Sequence, residues 1–211
     1  MWSVDEVPPS VRPILPEVEA ALEGVWGRIA ALREPPPIRF ALVADPSRAL
    51  PGYGFGGFCG SAGRVRLSFD MRSPNLEAHL GEALERTVAH EVHHALRWAG
   101  PGYGTRLGAA LATEGLAGRF VGQLYGSPPE PWEARVPPGG LGPWRARADA
   151  AFEDAGYDHP AWFFGTGEPP HWIGYALGYD MVGRHLERHP EATALSLADA
   201  PHGIFRDALR G

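Results

Sequence analysis

The chain of 211 residues predicts an α+β fold, with a small N-terminal β-sheet packed on a long helix and a mostly helical C-terminal half. Three observations lead there. Apolar residues recur at spacings of three and four over 16–34, 80–96 and 107–124, the pattern of helices with one buried face. Between the first two runs lie short stretches rich in β-branched and aromatic residues, bounded by proline and glycine, which is how strands are punctuated. Past residue 126 the chain becomes a proline-rich connection and then further helical segments. The expected division is an N-terminal subdomain over 1–100 (helix, small sheet, long helix) and a helical C-terminal subdomain over 101–211. With 44% hydrophobic residues there is ample material for the cores of one large domain or two small ones.

Taken in order, Val18, Leu22, Val25, Ile29 and Leu32 form the apolar face of a first helix that stops at Pro35-Pro36-Pro37. Ile38 to Val43 alternates loosely and ends at Asp45-Pro46, as a strand does. Tyr53 to Phe58 and Arg64 to Phe69 flank Cys59-Gly60-Ser61-Ala62-Gly63 and predict a β-hairpin with a glycine-rich tip, Val65, Leu67 and Phe69 sharing one face. A long helix follows over 74–99. Ser73-Pro74 supplies an N-cap and a first-turn proline, Gly100-Pro101-Gly102 a stop, and Leu80, Leu84, Val88, Val92 and Leu96 a buried stripe. Thr105 to Tyr125 carries Leu107, Leu111, Phe120, Val121 and Leu124 at helical spacing. Trp132 and Trp144 can anchor the proline-rich connection; Trp144 to Ala155 reads as helix and His159 to Gly165 as an aromatic loop. Pro169-Pro170-His171-Trp172 opens a last helix to about Arg188, whose Gly174 and Gly178 each cost roughly 1 kcal/mol relative to alanine and imply a close helix-to-helix approach.

The long helix contains His90-Glu91-Val92-His93-His94, an HExxH pattern. Positions four apart on a helix are turned by only about 40° net, so His90 and His94 project from one face, at a separation that suits two corners of a zinc tetrahedron. Glu91 lies about 60° from His94, beside the metal position, which suits a general base acting on water. His93 lies on the side away from Glu91 and reads as a supporting or surface residue.

A third ligand must come from elsewhere. In the pattern HExxHxxGxxH the glycine and last histidine positions fall on Arg97 and Gly100, which excludes that arrangement. Glu114, in Thr113-Glu114-Gly115-Leu116-Ala117, follows His94 by 114 − 94 = 20 residues, enough for a glycine-rich turn and an antiparallel helix to return a carboxylate. HExxH answered by Glu114-Gly-Leu-Ala resembles the gluzincin branch of zinc metallopeptidases. The string Thr87 to Arg97, then Glu114 to Ala117, then Gly174-Tyr175-x-x-Gly178-Tyr179, is similar to a bacterial family of predicted zinc-dependent proteases, over roughly Asp70 to the C-terminus. The resemblance implies a zincin-like fold, Zn2+ held by His90, His94 and Glu114, Glu91 as general base, and a peptide or protein substrate. It also implies that the sheet edge above the metal pairs with extended peptide, for which the hairpin is the candidate. One departure stands out: thermolysin-like enzymes carry an aspartate four residues after the glutamate ligand, and here that position is Gly118.

Gluzincins draw a hydrogen-bond donor for the developing oxyanion from a tyrosine or histidine of the C-terminal half. Tyr175 is the first candidate here and His171 the second, four residues apart on the predicted helix. His79, His159, His185, His189 and His202 have no partner at ligand spacing and read as surface residues.

Composition narrows the rest. A net charge of −6 argues against a nucleic-acid footprint. All 19 basic residues are arginine, which removes lysine-based nucleophiles and phosphate lysines. One cysteine, Cys59, excludes an intrachain disulfide framework, and its place in a glycine-rich turn reads as incidental to the metal. No secretory signal and no membrane span is visible, so a cytoplasmic protein without a membrane partner is expected. The expected activity is peptide-bond hydrolysis. The alternatives are a catalytically silent, zinc-stabilised peptide-binding or regulatory protein, and a metal-free helical interaction domain in which HExxH is accidental.

Overall fold

A computed structural model describes residues 1–50 and 52–210. Their contacts divide the chain into two units, residues 1–99 and 100–211, and the architecture is mixed α and β throughout the first and helical in the second.

In the first unit β1 (Ser3–Val4), α1 (Leu15–Ala30), β2 (Arg39–Ala44), β3 (Phe55–Ser61), β4 (Arg64–Phe69), α2 (Leu76–His79) and α3 (Glu82–Ala99) follow in order. The four strands form one sheet in the order β1-β2-β4-β3. β1 and β4 both run parallel to β2, whereas β3 runs antiparallel to β4. The registers Phe40↔Val65, Leu42↔Leu67, Phe55↔Phe69, Gly57↔Leu67 and Cys59↔Val65 put all of these residues on one side of the sheet. That side is buried, and α3 packs across β3 and β4. Leu84, Val88, Val92 and Leu96 supply the buried stripe of α3, each contributing about 1.5–3 kcal/mol by leaving water. α1 packs along α3, with Arg28 reaching Glu85 at 3.8 Å.

Several expectations shift in detail. The predicted helix over 74–99 is two helices, because Leu80 and Gly81 interrupt it; glycine there removes the helix preference while Leu80 still reaches the core. Ser73 does not cap α2 directly: Asn75 holds that position and donates its backbone N–H to the Ser73 hydroxyl at 3.3 Å. The hairpin tip is tighter than expected. β3 continues through Cys59 to Ser61, with a register shift between those two residues, so Cys59 belongs to a strand and not to a turn. Leu32 is exposed beyond the end of α1. β3 is an edge strand: besides β4 it pairs, among the described residues, only through a bridge between Leu50 and Phe55.

The second unit contains α4 (Leu107–Tyr125), α5 (Gly142–Ala150), α6 (His159–Phe164), α7 (Ile173–Arg188) and α8 (Asp207–Arg210). α4 and α7 pack closely because glycines face each other. A Cβ on Gly115 would collide with the Gly178 carbonyl, and one on Gly178 would collide with the Leu111 carbonyl and lie 3.1 Å from the Gly115 nitrogen. Gly174 has a different neighbour, the ring of Phe163, whose Cε1 would lie 2.7 Å from a Cβ. Arg119 of α4 donates to the Tyr179 carbonyl at 2.9 Å and lies 3.7 Å over the Tyr179 ring. Arg145 of α5 forms a two-pronged pair with Asp180 of α7, 2.8 Å on both prongs. The stretch expected as an aromatic loop is helical in α6, where Asp158 accepts from the Ala161 N–H as N-cap and Trp162 and Phe163 fill the core. α7 begins at Ile173, so His171 lies ahead of the helix rather than on a shared face with Tyr175. No helix among the described residues is long and apolar enough to cross a membrane.

Candidate metal centre

α3 carries its chemistry on the flank of its apolar stripe. Val88 and Val92 are buried, and the turn from His90 to His94 projects His90, Glu91 and His94 together. The two imidazoles meet edge to face, centroids 4.6 Å apart at 89°. One potential ligand atom from each of His90, Glu91 and His94 lies within 4.8 Å of the others. His94 and Glu91 are buried and His90 is partly so. His93 is fully buried rather than at the surface and stands outside this group.

The sheet makes room for Glu91. The register that places Gly57 opposite Leu67 turns its missing side chain toward α3. A Cβ on Gly57 would lie 2.5 Å from Glu91 Cγ and 2.7 Å from Oε1. The carboxylate therefore lies directly on the β3 backbone. Burial, with the nearby charge of Glu91, pushes the Cys59 thiol up to about 12. The thiol donates to the Ser61 carbonyl at 3.2 Å.

The donors fit a zinc ion. Imidazole nitrogens are a type zinc takes, and bonds of about 2.0–2.1 Å at a tetrahedral angle need the His90 and His94 nitrogens about 3.3 Å apart, with Glu91 beside them and not among the ligands. A group within 4.8 Å reaches that by small side-chain rotations. A buried carboxylate beside two imidazoles is also an electrostatic setting that favours a cation.

Of the remaining predicted residues, Glu114, Tyr175 and His171 belong to the second unit. Glu114 is buried on α4, and the Tyr103 hydroxyl donates to its Oε1 at 2.6 Å. Burial first, then the Glu114 charge, holds the Tyr103 phenol well above its ordinary value of 10.0, so it remains a donor. Around this pair stand aromatic residues. Tyr157 and His159 share a hydrogen bond at 2.8 Å, and the His159 ring stacks on Phe163 at 4.5 Å. Burial lowers the His159 pKa while the Glu114 charge opposes that shift, and burial pushes Tyr157 up to about 12. Tyr175 meets Phe163 edge to face at 5.2 Å. His171 is exposed and stacked on Trp172 at 4.1 Å.

Gly118, four residues after Glu114, has a physical reason. A Cβ there would collide with the carboxylate of Glu133 and approach Tyr179 Cδ2 to 3.1 Å. Glu133 is buried, and its Oε2 accepts from the Glu130 N–H at 2.7 Å. A carboxylate thus does fill the space beside this helix turn, delivered from the proline-rich connection.

The family described as Predicted Zn-dependent protease (DUF2268) matches residues 24–205, most of the chain. The chain belongs to this family. No curated protein and no solved structure matches this chain. The family's description agrees with a zinc-type donor group on α3, and the match spans both that group and the helix carrying Glu114.

Sequence reasoning missed Gly57, Tyr103, Tyr157 and Glu133, and placed His159 at the surface. None has a periodic or motif signal. Tyr103 stands in a glycine-rich loop, and Gly57 looks like any other glycine of its hairpin. The Tyr157-x-His159-Pro160 string before a run of aromatics was the one readable hint.

Proposed function

We propose that this protein is a zinc metallopeptidase of the gluzincin type with a zincin-like fold, holding Zn2+ through His90, His94 and Glu114 and hydrolysing peptide bonds. The convergence of His90, Glu91 and His94 on α3 carries the reading, supported by membership of a family described as zinc-dependent proteases. When bound, zinc supplies Lewis acidity, polarising a carbonyl and acidifying water. Glu91 is the general base: its carboxylate takes a proton from the attacking water and returns it to the leaving amine. Burial against the Gly57 backbone fixes where that carboxylate can point. Tyr175 is the first candidate to donate a hydrogen bond to the carbonyl oxygen as it gains charge, with His171 second. The substrate is an extended peptide or protein segment, paired main chain to main chain along the open edge of β3.

The test is a cleavage screen of a peptide library and a cell lysate with native protein and Glu91→Gln, with zinc content measured for both. Native protein is expected to produce new peptide termini. The variant is expected to retain stoichiometric zinc and lose turnover by several orders of magnitude. Native cleavage matched by the variant removes the base assignment, and zinc-free protein that cleaves equally well removes the metal assignment.

A further inference from the structure

We propose that Tyr103 is a positioning residue for Glu114, fixing its carboxylate so that Oε2 is presented to the metal. The inference rests on the ligand role proposed for Glu114. Tyr103 lies between Gly102 and Gly104, both in the left-handed region at φ 76° and 82°, a conformation open to glycine and costly for other residues. These two turns fold the loop back onto the start of α4. The loop is then tied to α4 at two adjacent residues. The Thr113 hydroxyl donates to the Tyr103 carbonyl at 3.3 Å, and the Tyr103 hydroxyl donates to Glu114 Oε1 at 2.6 Å. The second distance falls in the range of a hydrogen bond to a charged carboxylate, about twice as strong as one between neutral groups.

A phenol has a single proton to give, and here it goes to Oε1. Ligation by Glu114 is thereby steered to the other oxygen, and the carboxylate plane is set before any cation arrives. A glutamate on a helix otherwise has three rotatable bonds to immobilise on binding, at a cost in entropy. Partners behind a ligating carboxylate commonly change metal affinity about 10–100-fold when removed.

The experiment measures zinc affinity of the purified full chain by competition with a chromogenic chelator, for native protein, Tyr103→Phe, Glu114→Gln and the double variant, with melting of each zinc-free protein alongside. Tyr103→Phe is expected to weaken zinc binding about 10–100-fold. Because Tyr103 acts through Glu114, the double variant is expected to bind no more weakly than Glu114→Gln alone. Native affinity in Tyr103→Phe, or losses that add in the double variant, overturns the inference while leaving Glu114 as a ligand if Glu114→Gln is weak. Native affinity in Glu114→Gln overturns the ligand reading itself, and the inference with it. Should Tyr103→Phe not fold, carbon-13 NMR of native protein labelled at tyrosine Cζ decides. The Tyr103 signal is expected to shift in step with zinc saturation, and an unmoved signal overturns the proposal.

Discussion

A methyl group at position 57 has no space except that of the Glu91 side chain. The atoms it would meet, Cγ, Oε1 and Cδ at 2.5–2.9 Å, belong to a side chain and not to backbone, so the carboxylate yields before the strand does. Gly57→Ala is therefore expected to leave folding nearly intact and to lower kcat/KM about 100-fold, the scale set by a displacement of about 1 Å in a catalytic group. Melting of the zinc-free protein and kinetics on a screened substrate separate the two effects. Nothing in a lone sequence marks this glycine, because its role comes from a strand register joined to a helix residue 91 − 57 = 34 positions onward. His90, Glu91 and His94 were legible because one helix fixes their mutual placement at a spacing of four. Tyr103 was not, since it meets Glu114 only after its loop folds back onto α4.

At the scale of elements, the contact between α4 and α7 is backbone against backbone. A Cβ on Gly178 meets the Leu111 carbonyl and the Gly115 nitrogen, neither of which can swing aside, so the helices must part. Gly178→Ala is expected to destabilise the second unit by about 1–3 kcal/mol or more, read as a lower midpoint in urea. The expense of glycine within a helix was visible in the sequence, and so was the close approach it implies. The helix ends were less legible: Gly81 broke a run whose apolar stripe continues across it, and α6 is too short for its periodicity to register. α8 is tied to α5 by Asp149, which accepts from Arg206 at 2.7 Å and Arg210 at 3.0 Å. Hydrogen bonds from Arg210 and Arg206 hold the Asp149 carboxyl below its ordinary value of 3.8. A depressed folded value means that its stabilising contribution is complete above that ordinary value and is lost as pH falls through the lowered one. Asp149→Asn is expected to be less stable at neutral pH and to lose less stability than native protein on acidification below pH 3.8, measured by melting across that range.

At the scale of the whole molecule, metal binding is linked to folding, because the folded chain holds the proposed ligands in place and the unfolded chain does not. Saturating zinc at about 100 times its Kd adds about 2.7 kcal/mol, and calorimetry is expected to show a higher transition that a chelator reverses and that Glu114→Gln largely abolishes. The single thiol of the chain offers a different view of the same molecule. Cys59 is buried in β3 with its proton held far above neutral pH, so maleimide dyes should attach only to molecules in which that sheet border has peeled away. Dye uptake over time would then count such excursions one by one, giving a clock for breathing at the rim without any engineered label.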